Sequence, residues 1–518
     1  MIRTRLERLK DKETRKLIAI FLGGKMLGVV ALLGAMKGLS WFLPTVAGAQ
    51  TIKEVSETVD NTVNGINTMW VLVTAFLVFF MQAGFMGLEI GFARSKETVN
   101  ILMECVFDTC LCGILYWAFG FAFQFGAGNA IIGHSNFFLR GIPDTYDYAG
   151  SFDTGVAFLA FFLFQFAFAD TASTITSGAM VGRTSFKGDI MYSTCVSGFF
   201  YPIFGHWVWG PGGWLQTLDS GMFSGIVKDG LFFRDFAGST VVHTVGGVIA
   251  LTGAIVLGPR LGRKFKRDGG GPTPPSDLTW GAIGAVILWF GWYGFNPGST
   301  LSAMDFVGIG RVAANTTLAA CAGGLVAVFW VYPKTKKWDL GISVNGLLGG
   351  LVAVTAPCYW VNPFGAVCIG VAAGIIVPLA TEFMEWRRID DPIGAVAVHL
   401  FCGVFGTLSI GLFATGEFAD FKGLFYGGGG SQLLVQAIGS LSCIIVVGGL
   451  SFLVFKFIRS LPGSWNLRLE EDLELEGIDI TEHGTPAYHV EFGQGMTYST
   501  PSGLPPRTPV TTSTSSGS

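Results

Sequence analysis

The stretch 235-DFAGSTVVHTVGG-247 decides how the chain is read. It opens on an acid, Asp235, then turns apolar enough to lie in a lipid bilayer, and still carries His243 in its middle. A polar ring at that depth is costly, so a function has to require it. Further on, 390-DDPIGAVAVHLFCG-403 repeats the arrangement, with Asp391 eight positions before His399 as Asp235 is before His243. One such histidine would read as a satisfied core residue. Two at matched depth in repeated contexts read as a pair with a role.

Composition sets the class. Of 518 residues 50% are hydrophobic and 13% charged, about half the charge of a soluble domain, which argues for a polytopic protein embedded in a lipid bilayer, expected to be all-α from the apolar segments that follow. A net charge of −3 gives no reason to expect a nucleic-acid partner. The nine cysteines sit mostly in apolar runs with no C-x-x-C spacing and read as small buried residues. Six histidines are too few, and too scattered, for a di-iron or multi-haem membrane enzyme. No nucleophile or metal partner stands at suitable spacing from His243 or Asp235, so neither an enzyme nor a bound metal or cofactor is expected.

Along the chain, a basic start (MIRTRLERLKDKETRK) leads into an apolar stretch and then VAGAQ, where Ala47 and Ala49 have the spacing of a signal-peptidase site. Residues 1–49 are therefore expected to be a signal peptide and 50–69 an external segment. Eleven apolar segments follow, from Trp70–Ala93 to Leu433–Ile458, most near the roughly 20 residues a span needs. The loops ARSK, GRTSFK, PRLGRKFKR, KTKK and WRR fall after odd-numbered segments, while even-numbered exits carry few basic residues. The positive-inside rule then puts the mature N-terminus outside and the C-terminus in the cytoplasm. Residues 70–459 form the expected eleven-helix transport domain. Residues 460–518 form a cytoplasmic tail whose Ser/Thr/Pro-rich end reads as disordered.

By this count Asp235 begins the fifth helix and Asp391 the tenth, which run in opposite directions. That is the signature of a five-helix inverted repeat, with its site between the halves near the midplane. Eight residues are about 12 Å of helix, which takes both rings toward the middle of the membrane. Two neutral imidazoles facing each other across a narrow pore would suit a small polar solute or a proton rather than a bare metal cation. Trp209, Phe168, Phe295 and Ser299 fall toward the outer side, where aromatic faces attract a cation by about 0.5–2 kcal/mol.

At these residues the chain resembles the ammonium transporter family (Amt/Mep/Rh): DFAGSTVVH, WFGWYGFNPGS, FQFAFADTASTITSGA, MQAGFMGLEIGFARSK, the DDP…VH stretch and GIDITEHGTPAY occur in order over about Trp70 to Tyr488. The resemblance implies an Amt-type fold, a homotrimer with one hydrophobic pore per protomer, and ammonium and methylammonium as substrates at the plasma or inner membrane. It assigns His243 and His399 as twin pore histidines, and Trp209, Phe168 and Ser299, supported by Asp235 and the Ala237 carbonyl, as an outer recruitment site. Phe168 and Phe295 match the aromatic gate, and Tyr201 and Trp292 the neighbouring lining. In the tail it marks Gly477, Asp479, Thr481, His483, Gly484 and Tyr488 as a regulatory segment, with Thr481 where plant relatives are phosphorylated. It also implies a PII-type signalling protein as a candidate partner at the cytoplasmic face. Proteins of this fold acting as ammonium sensors or as passive ammonia or carbon dioxide channels are the competing expectations. One departure is visible: the acid the family usually places before the arginine after helix three is Gly182 here.

Overall fold

The computed structural model describes residues 52–146, 155–220, 225–228 and 230–488, with isolated positions 12, 34 and 37. The proposed signal-peptide cleavage site and residues 489–518 lie outside the described residues, and the chain divides into two compact units at Thr62. Of the first unit, the described part is mainly the start of a helix that begins at Ile52, so the segment ahead of Trp70 is helical from that residue on.

The helices of the transport region are α1 (Ile52–Phe79, continued by Met81–Phe92), α2 (Ser95–Phe125), α3 (Phe158–Ser177), α4 (Phe186–Cys195, continued by Val196–Phe200 and Tyr201–Trp209) and α5 (Ser239–Leu257). They continue as α6 (Leu278–Gly298), α7 (Phe306–Thr335), α8 (Leu340–Thr355), α9 (Pro363–Arg387), α10 (Val396–Phe413) and α11 (Ser431–Arg459). Among the described residues nine helices are long and apolar enough to cross a membrane. The other two are α4 and the 16-residue α8. The eleven expected segments thus all fall on helix, but length and composition single out only nine of them. β-structure among the described residues amounts to isolated bridges.

Local signals set the starts. Asp277, Asp305, Asp339 and Asn362 each accept a first-turn N–H, at 2.9, 2.9, 3.0 and 2.9 Å, capping α6, α7, α8 and α9. Small residues set the packing, as expected where lipid removes most of the hydrophobic drive between helices. Gly84, Gly87 and Gly91 of α1 meet Gly281, Gly284 and Leu288 of α6. Gly247 of α5 lies on the backbone of Leu400 in α10, with no room for a Cβ, and Gly403 of α10 lies likewise on Ser239 of α5. These close approaches bring the two histidine-bearing helices together.

Each of those helices opens with a π-helical turn, Ser239–Thr244 holding His243 and Val396–Phe401 holding His399. Such turns widen a helix locally and recur at functional sites. The repeat read from the acid-to-histidine spacing therefore extends to backbone geometry.

Where α5 ends and α10 begins lies an ion network that spacing alone did not reveal. Asp390, the first acid of the DDP stretch, accepts from Arg260 Nε at 2.8 Å and from Arg263 Nε at 3.3 Å, while Arg263 also pairs with Glu385. Buried Arg183 donates to the carbonyls of Gly258, Ala179 and Asp390, each at 2.8 Å. Burial opposes ionisation of Asp390, but Arg183 and Arg260 hold its carboxyl well below the usual carboxylate range. Gly182 has φ +78°, and a side chain there would collide with Glu97, which ion-pairs with Arg94. The acid missing at 182 has a neighbour on the α1–α2 loop, whose carboxylate fills that space.

The tail forms two short helices, α12 (Glu471–Glu476) and α13 (Ile478–His483), laid on these loops. Lys96 Nζ donates to the carbonyls of Glu474 and Leu475 at 2.9 and 2.6 Å, and Glu474 accepts from Leu261 N at 2.6 Å and Arg468 Nη2 at 2.7 Å. Asp479 accepts from Asn100 N at 2.9 Å, and His483 Nε2 lies 2.9 Å from Asn100 Oδ1. Gly477 (φ +121°) and Gly484 (φ +71°) bound α13 in a conformation that favours glycine. Thr481 is half-buried with its hydroxyl on the Gly477 carbonyl, and Tyr488 is exposed.

Candidate functional site

A cavity of about 370 Å³ opens at the ends of α3, α4 and α6. Its lining includes Trp209, Phe168, Ser299 and Asp235, four of the five residues expected at the recruitment site. Ala237, the fifth, is fully buried behind it. The Ser299 hydroxyl donates to Phe295 O at 2.8 Å, which leaves its lone pairs free to accept from a cation. Trp209 Nε1 donates to the backbone carbonyl of Asp235 at 2.8 Å, fixing the indole against the start of α5.

The Asp235 carboxylate caps that start. Oδ1 accepts from Gly238 N and Ser239 N at 2.8 and 3.0 Å, and Oδ2 from Thr240 N and Val241 N at 2.8 and 2.9 Å. Both oxygens serve the helix, so any pull on a bound cation acts through space. Asp391 holds the equivalent place before α10, with Val396 N and Ala397 N on Oδ2 at 3.0 and 3.3 Å.

From the cavity a column of buried rings leads inward. Phe168 stands edge-on to Trp209 at 6.2 Å between centroids and stacks on Phe295 at 4.0 Å. Phe295 lies 5.5 Å from His243, and Trp292 lies 5.3 Å from it at an interplanar angle of 18°. Trp292 Nε1 is anchored on Thr355 Oγ1 at 2.8 Å, so its face rather than its N–H is offered to the column. His243 Nδ1 is 3.1 Å from His399 Nδ1.

That last distance corrects an expectation. The two rings do not face each other across a gap; they are joined directly, edge to edge. One Nδ1 must donate and the other accept, so with both rings neutral the donor ring keeps a bare Nε2 and the acceptor ring carries its proton on Nε2. The pair thus offers one donor and one acceptor to a small solute. His243 Nε2 has no hydrogen-bond partner among the described residues.

Tyr201 is fully buried beside Gln124, and no ring pairing among the described residues joins it to the column. His206, given no role, is held between the carbonyls of Gln124 and Asn129 at 2.8 Å each and reads as structural. Arg234 was missed. Its guanidinium lies 3.9 Å over Phe232 and 4.4 Å over Phe421, and the residue lines the same cavity. The available signal was its position, a basic residue directly before Asp235 on a side otherwise poor in basic residues.

An apolar multi-helix chain with two bonded histidines at the end of a buried aromatic column defines a membrane transport protein that handles a small polar solute. The chain belongs to the ammonium transporter family, whose description matches residues 69–488. It is 40% identical over 450 residues, 85% of this chain and 91% of the relative, to ammonium transporter Amt2 of Archaeoglobus fulgidus. It is 36% identical to ammonium transporter 1 member 3 of Solanum lycopersicum, over 82% of this chain and 93% of the relative. Among solved structures a sensor Amt protein is similar at TM-score 0.72 and 35% identity, covering 82% of this chain and 99% of that one. Mep2 of Candida albicans is similar at TM-score 0.71 and 26% identity, covering 85% and 96%. Family membership makes this a multi-pass membrane protein for ammonium transport and not an enzyme.

Proposed function

We propose that the protein takes up ammonium and methylammonium across the plasma or inner membrane as a homotrimer, one pore per protomer. The cation is held in the outer cavity by Trp209, Phe168 and Ser299, with the Ala237 carbonyl and the Asp235 charge behind it. There it gives up its proton to water in the open cavity, and neutral ammonia passes the Phe168–Phe295 gate and runs past Trp292 along His243 and His399. The observation that carries this reading is the unbroken ring column from the cavity to the histidine pair, with Phe168 and Phe295 in contact at 4.0 Å. A bare cation entering such a column would lose its hydration without a fixed counter-charge, which costs several kcal/mol or more. Ammonia enters neutral. Potassium has no proton to give up and is rejected on chemistry rather than size.

When the proton crosses separately, transport is electrogenic and gains about 2.3 kcal/mol per 100 mV. The tail is regulatory in this reading: a phosphate on Thr481 adds about −1.5 to −2 charges beside Asp479 and Glu482 and loosens its docking. A cleaved signal peptide over 1–49, an outside N-terminus and a PII-type partner at the cytoplasmic face complete the proposal. Currents recorded on solid-supported proteoliposomes test it. Ammonium and methylammonium should evoke current and potassium none; a silent membrane with ammonia permeation would favour a gas channel. A sensor role is the second reading, supported by likeness to a sensor Amt protein. Proteoliposomes that bind ammonium yet accumulate none would select it.

A further inference from the structure

Beyond the histidine pair, on the side where the tail docks, α1 ends in MGLEIGF and places Glu89 among apolar side chains at 1% exposure. A carboxylate in a spanning helix is costly and marks function by default. Glu89 lines a small cavity together with His399, Asn345, Phe85 and Ile393. The volume open to the centre of a water-sized molecule there is about 10 Å³, about the least that one such molecule needs. Ammonium is of that size.

The chemistry of the lining points to a cation. Glu89 Oε2 has no hydrogen-bond partner among the described residues. The charged group that acts on it is another acid, Asp189, neither of whose oxygens has a hydrogen-bond partner among the described residues. Among the described residues no lysine, arginine or histidine forms an ion pair with either acid. The Ser177 hydroxyl stands beside the Glu89 carboxyl. Asn345 donates its amide to Ile393 O at 3.2 Å, so its carbonyl oxygen is available as a second acceptor. One carboxylate oxygen, one amide oxygen and the edge of His399 surround a space for a single small molecule, without any cationic side chain to balance the acid.

We propose that Glu89 anchors a second cation site, on the tail side of the histidine pair, that holds one ammonium ion and is too small for methylammonium. The inference rests on the transport reading above and adds, at the inner end of the same pathway, a pocket that methylammonium passes without entering.

The test uses full-length protein in vesicles of defined orientation, with ammonium presented to one face at a time. Wild-type flux from the cavity face tests the transport reading itself. Glu89→Gln keeps the shape and removes the charge; it should raise KM for ammonium presented from the tail face about tenfold and leave KM from the cavity face unchanged. Methylammonium should show no such asymmetry. Equal change from both faces, or none from either, overturns the site. If Glu89→Gln does not assemble, Glu89→Asp and Asn345→Ala are measured the same way, with a smaller rise of about threefold expected from the tail face alone. Titration of detergent-solubilised protein with ammonium chloride reads the site without flux: the wild type should bind one ion more per protomer than the Glu89 variant, and equal stoichiometry overturns the proposal even where transport is normal.

Discussion

Asp235 commits both carboxylate oxygens to four backbone N–H groups, whereas Asp391 binds two N–H groups through one oxygen and leaves Oδ1 without a partner among the described residues. Beyond the first lies an aromatic cavity of about 370 Å³; near the second lies one of about 10 Å³ beside Glu89. Two helices built on one sequence pattern are thus finished for different tasks. In the proposed reading the cavity end collects a hydrated cation from solution by cation–π attraction, which needs room and rigid aromatic faces. The tail end, in the same reading, meets a molecule already stripped of water, for which one fixed charge in a small space suffices.

The largest expected effect falls where the halves meet. His243→Ala or His399→Ala should lower ammonium flux or its selectivity over potassium by at least about tenfold, because removing one ring leaves the other's Nδ1 unpaired and opens a polar gap in the column. The measurement is the ammonium-to-potassium current ratio on trimers verified by size. Wild-type rate and selectivity in both variants would end the proposed role of the pair.

The next comparison sets one acid against the other. Asn offers a single carbonyl oxygen, and in Asp235→Asn its NH₂ would point at two N–H donors. Two charge-assisted hydrogen bonds are lost, each worth about 1.5–3 kcal/mol. Asp391→Asn can keep its oxygen on Val396 and Ala397 and turn its NH₂ to the open side. Thermal unfolding in detergent should therefore show a large loss of stability for Asp235→Asn and a small one for Asp391→Asn. Equal losses would break the asymmetry. Asp235→Asn is also no clean probe of charge, since it disturbs the cap as well.

A smaller effect is expected at the cavity wall. Trp209→Ala removes a cation–π face worth about 0.5–2 kcal/mol, so KM for ammonium should rise about two- to thirtyfold with little change in maximal flux. A fall in maximal flux with KM unchanged would place Trp209 in the gate instead.

The smallest is at Arg234, whose guanidinium already covers Phe232 and Phe421 at the cavity. Arg234→Gln should lower KM for ammonium about threefold at low salt, by uncovering aromatic surface and removing a like charge, and the gain should shrink as ionic strength rises. A gain independent of salt would assign the effect to packing alone.

Much of this was legible in sequence because the relevant signals are local and periodic. Apolar runs of spanning length follow from the absence of water in the bilayer core, and the eight-residue interval from Asp235 to His243 and Asp391 to His399 needs no partner to be seen. The aromatic residues of the outer site stand in short ordered motifs, and four of the five residues assigned there do line one cavity. What escaped depends on residues far apart in the chain. The direct His243–His399 bond requires α5 and α10 to touch through Gly247 and Gly403, and the π-helical turns set the ring positions within that contact. Glu97 fills the space beside Gly182 from another loop. Glu89 looks like any acid near a helix end until α1, α8 and α10 close a cavity around it. The sequence by itself determined a bilayer-spanning helical chain with a repeated acid-to-histidine helix, since hydrophobicity and spacing act along the chain. Only the tertiary structure decided which polar atoms are satisfied and which are left bare, because hydrogen bonding and cavity shape are properties of groups that meet across it.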